Sequence, residues 1–195
     1  NFLLQSKHQL ENLNIYLIVF HCQPFLCLFS PDAEISNIPK VASLGKRIVM
    51  GTTGLTEEQM SQLKNAVISK VPAVFAPNFA IGVNVLFKIL NALKALPKDY
   101  DVSIMEAHHS GKKDAPSGTA VSMARTISQI RGYDSTIYGR SGISQRKSGE
   151  IEVVAIRAGG IPGIHRVIAA GPYEMLVIEH LSFSRSVFAQ GALCA

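Results

Sequence analysis

The stretch Ile104-Met105-Glu106-Ala107-His108-His109-Ser110-Gly111-Lys112-Lys113-Asp114-Ala115-Pro116-Ser117-Gly118-Thr119-Ala120 decides how the chain is read. Val102 to Met105 is an apolar run and predicts a buried strand. That strand delivers two adjacent imidazoles, His108 and His109, at its C-terminal end. A short loop then carries Lys112, Lys113 and Asp114. Pro116 suits the first turn of a helix, where its missing N–H would have no partner, and an apolar-periodic helix is predicted from there. Gly118 and Thr119 then lie near a helix N-terminus with free backbone N–H groups, which is a ready anion site. Cations, titratable imidazoles and helix-end amides in one small volume suit a small polyanion that needs a proton delivered.

On the N-terminal side, strand and helix alternate. Arg47 to Met50 predicts a short parallel-type strand, turned by Gly51-Thr52-Thr53-Gly54. Thr56 caps the next helix and Gln59, three residues on, completes a capping box. Met60, Leu63, Val67 and Ile68 give that helix its inward face. Val71 to Ala76 is a further strand, ending at Pro77-Asn78-Phe79, and Gly82 to Leu96 a helix. Residues 34–45 are a helix candidate interrupted by Pro39, and residues 15–29 read as two buried strands on either side of Pro24. Alternation of this kind predicts a parallel sheet with helices on its faces.

On the C-terminal side the pattern changes. Residues 131–149 read as a Gly-, Ser- and Arg-rich loop, with Gly139-Arg140 and Arg146-Lys147 as a solvated basic segment. Ile151 to Arg157, Ile164 to Ala169 and Met175 to Ser182 predict strands of an antiparallel or mixed sheet, and a closing helix starts near Ser186. The fold class is therefore α/β: a partial Rossmann-like parallel-sheet domain over residues 1–80, then an α+β domain with a mixed or antiparallel sheet over residues 81–195. Gly159-Gly160-Ile161-Pro162-Gly163 lacks the helix that a phosphate loop needs after it and is read as a hairpin turn, with His165 and Arg166 near the pocket.

Composition bounds the function. The 195 residues are 47% apolar and 17% charged with net charge +5, a mildly basic globular protein. No Lys/Arg run is interleaved with aromatics, so nucleic-acid binding is not expected. Cys22, Cys27 and Cys194 form neither a disulfide framework nor a CxxC pair, so no metal site is expected and a reducing cytoplasm fits. Residues 15–29 are too short and interrupted for a membrane span, which needs about 20 residues. The alternative for them is a signal-peptide core, but no small-residue cleavage site follows.

Glu106 to Ala120 match, position by position, the signature Glu-x-His-His-x-x-Lys-x-Asp-Ala-Pro-Ser-Gly-Thr-Ala of the dihydrodipicolinate reductase (4-hydroxy-tetrahydrodipicolinate reductase) family, and the chain resembles that family from about Gly51 to Ala195. Phe29-Ser30-Pro31-Asp32-Ala33 resembles a further family segment in part, with Leu28 where the family has Asp. The resemblance implies reduction of a cyclic, imine-type dicarboxylate by NADPH or NADH in lysine and diaminopimelate biosynthesis. It implies that His108 donates or accepts the proton and that Lys112 donates a proton or stabilises charge. It implies that His109, Gly118 and Thr119 hold substrate carboxylate. It implies that Gly51, Thr52 and Thr53, with Ala76, Pro77, Asn78 and Phe79, line the nicotinamide half of the cofactor. It also implies a cytoplasmic homotetramer built on the second-domain sheet.

Without the resemblance, His108 and His109 could be structural or a metal pair. Adjacent strand residues point to opposite faces, which makes one shared metal hard to hold. Asp114 reads as a residue that orients the loop or caps the helix, Lys113 as solvent-facing, and Arg185 as a hinge or anion contact. Neither the family's Gly-x-x-Gly-x-x-Gly loop nor its ribose-reading residue is matched, and the final strand and helix have no counterpart. The chain is thus expected to be truncated at both ends or divergent at its N-terminus. Two alternatives follow: a non-catalytic fragment that keeps a dicarboxylate pocket, and another two-domain amino-acid dehydrogenase.

Overall fold

The computed structural model describes residues 25–27 and 30–195, and the strand expected before Pro24 lies outside them. The chain divides into two compact units, the first ending at Ala76 and the second running from Pro77 to Ala195.

In the first unit, β1 (Phe25–Cys27), β2 (Ile48–Met50) and β3 (Ala73–Phe75) form a parallel sheet in the order β1-β2-β3. Helices α1 (Pro31–Ser43) and α2 (Glu57–Val67) make the crossovers. The helix expected over residues 34–45 starts earlier and is continuous through Pro39. Ser30 caps it through Ala33 N–H, and Pro31 sits in the first turn, where it needs no donor. Ile38, Val41 and Ala42 are buried with Ile48, Met50, Leu63 and Val67, so packing offsets the hydrogen bond lost at Pro39. The Thr56–Gln59 capping box forms in both directions. Gly51, Thr52 and Thr53 follow β2 and Ala76 follows β3, so both loops lie at C-terminal ends of adjacent parallel strands. Ala76 N–H donates to the Met50 carbonyl at 3.0 Å.

The second unit opens with α3 (Ile81–Leu90), which passes into a 3-10 turn over Asn91–Ala95 rather than continuing as one helix to Leu96. Then come β4 (Asp101–His108), α4 (Gly118–Arg131), β5 (Ser135–Ile137), β6 (Glu150–Arg157), β7 (Ile164–Ala170), β8 (Met175–Leu181) and α5 (Ser186–Leu193). The mixed sheet runs β5-β6-β4-β7-β8. Strands β5, β6 and β4 are parallel, and β7 and β8 are antiparallel to their neighbours. Val102, Ile104, Val153, Val167 and Ala169 face the core against Val83, Leu86 and Leu90 of α3 and Ala120, Met123 and Ile127 of α4. The opposite sheet face leaves Val154, Ile156, Val177 and Leu181 exposed.

Three expectations are corrected here. The segment after residue 131 is not all loop, because Ser135–Ile137 adds an edge strand to β6. Its two arginines are not solvated, although Lys147 is exposed: Arg140 pairs with Glu150 and Glu152, and Arg146 with Asp101, the Val102 carbonyl and Ser103. The Gly159–Gly163 segment is not a hairpin turn either, because β4 lies between β6 and β7. The connection must cross two strand spacings, about 10 Å, over the C-terminal end of β4. There Ala158 N–H donates to His108 O and Ser110 N–H to Gly159 O.

Helix α5 packs on the segment that leads into α3. A methyl group at Gly191 would lie 1.8 Å from the Phe79 carbonyl oxygen, closer than any side-chain adjustment can relieve. Gly191→Ala is therefore expected to lower unfolding stability by about 2 kcal/mol or more in urea denaturation. A change within about 0.5 kcal/mol would show that α5 does not seat there.

Candidate active site

Strand β4 carries Val102, Ile104, Glu106 and His108 on its core-facing side, and all four are buried. The first two pack apolar core. The last two place ionisable groups where a partner is obligatory. Glu106 is fully buried and meets four nitrogen partners. The Arg157 guanidinium reaches its two oxygens at 2.7 and 2.9 Å, Ser117 N–H reaches it at 3.0 Å, and His108 Nδ1 lies 2.5 Å away. Arg157 ends β6 as the cross-strand partner of His108, and it also donates to the Asp114 carbonyl at 2.6 Å. Burial pushes the Glu106 pKa up, but Arg157, His108 and the Ser117 N–H together hold it below its ordinary value.

His108 is pushed below its ordinary value first by burial. Glu106 opposes this, while Lys112 and Arg157 add to it. Gly163 covers the ring, and a methyl there would lie 3.3 Å from His108 Nε2. His109 lies just past the strand end, half-buried beside Gly111. Lys112 pairs with Asp114 at 2.7 Å. Burial raises the Asp114 pKa, yet Lys112 and the backbone N–H groups of Asp114 and Gly118 bring it below normal. Asp114 therefore does orient the loop and meet the helix start.

That helix start differs from expectation by two residues. Pro116 precedes the helix, and Ser117 is the cap, its hydroxyl accepting from Ala120 N–H at 3.2 Å. Gly118 and Thr119 are thus the first two helical residues, where backbone N–H groups lack intrahelical partners. Thr119 Oγ1 accepts from Asn78 Nδ2 at 3.1 Å, and Asn78 Oδ1 in turn accepts from Ala80 N–H at 2.8 Å. Phe79 is buried and Pro77 exposed. The second unit thus gathers His108, Lys112, Gly118, Thr119 and Asn78 around one strand-loop-helix corner. Gly51, Thr52, Thr53 and Ala76 belong to the first unit, where Thr52 donates to the buried Glu34 carboxylate at 2.5 Å. Among the described residues, no group of three or more His, Cys, Asp or Glu could hold a metal ion, and no helix is long and apolar enough to cross a membrane.

Family models described as dihydrodipicolinate reductase, N-terminus and C-terminus, match residues 27–79 and 82–195. The chain belongs to the dihydrodipicolinate reductase family. The 4-hydroxy-tetrahydrodipicolinate reductase of Methanosarcina barkeri is 45% identical over 186 residues, covering 95% of this chain and 70% of that protein. The protein of the same name from Methanococcoides burtonii is 44% identical over 164 residues, 84% of this chain and 62% of its own length. The chain therefore spans roughly two-thirds of these relatives. A solved structure described as dipicolinate-bound dihydrodipicolinate reductase from Paenisporosarcina sp. TG-14 superposes with a TM-score of 0.68 at 28% identity, over 87% of this chain and 65% of that one.

Several site residues lie beyond what the reductase signature had marked. Glu106 stood within it without a role, although an acid at a core-facing strand position signals a buried cation partner. The sequence marks Arg157 only as a strand end. His165, on β7, lies edge-on to His108 with ring centres 5.2 Å apart and its Nε2 3.3 Å from Ser117 Oγ.

His165 is 4% exposed, and burial first, then the neighbouring His108, push its pKa from 6.5 down to about 4. Between those values the unfolded chain holds a proton that the folded chain lacks, so stability falls as pH drops from 6.5 towards 4. The full effect is roughly 3 kcal/mol. His165→Gln is expected to flatten this part of the stability–pH curve, measured by denaturation at each pH. An unchanged slope would contradict the assignment.

Proposed function

We propose that this chain carries out the NADPH- or NADH-dependent reduction of 4-hydroxy-tetrahydrodipicolinate to tetrahydrodipicolinate, a step of lysine and diaminopimelate biosynthesis. The observation that supports it most is the placement of His108, Lys112 and the Gly118–Thr119 helix start at one corner, in a chain that matches both family models. The doubly ionised ring needs positive charge and amide donors for its carboxylates, and His109, Lys112 and the amides of Gly118 and Thr119 supply them. A proton reaches the ring through His108 or Lys112. His108 relays it once Nε2 has taken up a proton from solvent, and its depressed pKa makes the resulting imidazolium a readier donor than an ordinary histidine.

Residues 1–80 act as the dinucleotide-binding part and residues 81–195 as the substrate-binding, catalytic and assembly part. Gly51, Thr52, Thr53 and Ala76 stand at the C-terminal ends of parallel strands, where open α/β sheets take ligands, which supports their role on the nicotinamide side; for Pro77, Asn78 and Phe79 that role rests on the family resemblance. When bound, that cofactor supplies the hydride. Glu34 fixes Thr52 from below its loop.

The open face of the mixed sheet supports assembly into a homotetramer, and the cytoplasm is the compartment that the family resemblance implies. Ile156, Ala107, Ile164 and Leu181 form one cross-strand row on that face, and Ile156 and Leu181 are 42% and 44% exposed. An apolar strip of this kind is a contact surface in search of cover.

His108→Gln and Lys112→Met are each expected to lower kcat by about 100-fold or more with the far-UV spectrum unchanged. Wild-type turnover in both would remove the mechanism. Ile156→Glu is expected to convert a tetramer to smaller species in light scattering, and a wild-type monomer would contradict the assembly.

A further inference from the structure

We propose that Glu106 and Arg157 are a positioning pair for His108. The carboxylate holds the imidazole proton on Nδ1 and leaves Nε2 unprotonated, able to take up a proton and then pass it on. The guanidinium keeps that carboxylate ionised while preventing it from fixing the imidazole as a cation. The inference rests on the reading that His108 moves the proton.

The geometry carries it. Glu106 and His108 stand two residues apart on one side of β4, and Arg157 is the β6 residue opposite His108. Every oxygen of the buried carboxylate is in use. Oε1 accepts from Arg157 Nη2 and Ser117 N, and Oε2 accepts from Arg157 Nη1 and His108 Nδ1. A carboxylate clasped by a guanidinium is ionised and can only accept, so the Nδ1 at 2.5 Å must be the donor. In a neutral imidazole the second nitrogen then has no proton.

A lone buried carboxylate would hold His108 as imidazolium at neutral pH. The charged and titratable groups around the ring decide otherwise. Glu106 stands on its own strand, Arg157 on β6, Lys112 with its Asp114 partner on the following loop, and His165 on β7, with His180 of β8 behind it. Burial, Lys112 and Arg157 together outweigh Glu106, and the ring titrates below its ordinary value. Burial first, then Lys112 and Arg157, therefore offset the charging that a carboxylate normally brings, while Arg157 keeps the carboxylate ionised and its orienting effect in place. Arg157 also clamps the Asp114 carbonyl, which ties the Lys112 loop to the same pair.

The test is 15N NMR of the imidazoles in this chain, with His108 assigned by substitution. At pH 7 His108 is expected to be neutral with its proton on Nδ1. Arg157→Met is expected to raise its apparent pKa by about one unit or more, Glu106→Gln to lower it, and Arg157→Lys to restore much of the wild-type titration. If a variant does not fold, the wild-type tautomer alone decides. A proton on Nε2, an imidazolium at pH 7, or an unmoved titration in folded Arg157→Met would overturn the pair. Because the measurement uses neither substrate nor cofactor, an Nδ1-protonated ring in a chain without reductase turnover would overturn the proposed function and leave the pair standing.

Discussion

The two-pronged contact between Arg157 and the fully buried Glu106 is what the rest of the second unit depends on. A carboxylate removed from water is tolerated only when paired and fully hydrogen-bonded, and losing one partner costs about 3–5 kcal/mol. Here the carboxylate's partners come from three places in the sequence, β4 itself, the cap of α4 and the end of β6, and Arg157 also holds the Asp114 carbonyl of the intervening loop. The pair can form only if β6 lies beside β4 in parallel register, and that arrangement forces the Ala158–Gly163 connection across the end of β4 and onto His108. Sheet order and site chemistry are thus one constraint.

Much of this was legible in the residues. The Thr56–Gln59 spacing specified a helix start that the structure reproduces, and the segments 151–157, 164–169 and 175–182, set off by Gly/Pro turns, read as strands that are all present. The corner from His108 to Thr119 was legible because an apolar strand, a cationic loop and a Pro-Ser-Gly-Thr helix start follow one another locally. What stayed hidden was long-range. Arg157 lies 51 positions from Glu106, and only the β6-β4 pairing brings them together. The Gly159–Gly163 segment has the composition of a hairpin turn, and nothing local records that a third strand lies between its flanks. Pro116 suits a first helical turn, but Ser117 offers a better cap, and capping moved the start by two residues.

The two units share a device. In the first, buried Glu34 of α1 receives the Thr52 hydroxyl and holds the loop after β2. In the second, buried Glu106 receives the Ser117 N–H and holds the loop after β4. In both, a carboxylate inside the core fixes a segment at the C-terminal end of a strand. Rigid support beneath a loop is what lets a small number of polar contacts orient a small substrate.

The central claim is that the corner formed by β4, its loop and the start of α4 is a seat for a dicarboxylate. A crystal structure of the chain grown with pyridine-2,6-dicarboxylate tests it most directly. One carboxylate of the probe is expected on the amides of Gly118 and Thr119 with Lys112 beside the ring and His108 Nε2 turned towards it. The same probe bound elsewhere, with that corner unchanged and open to water at saturating concentration, would contradict the account.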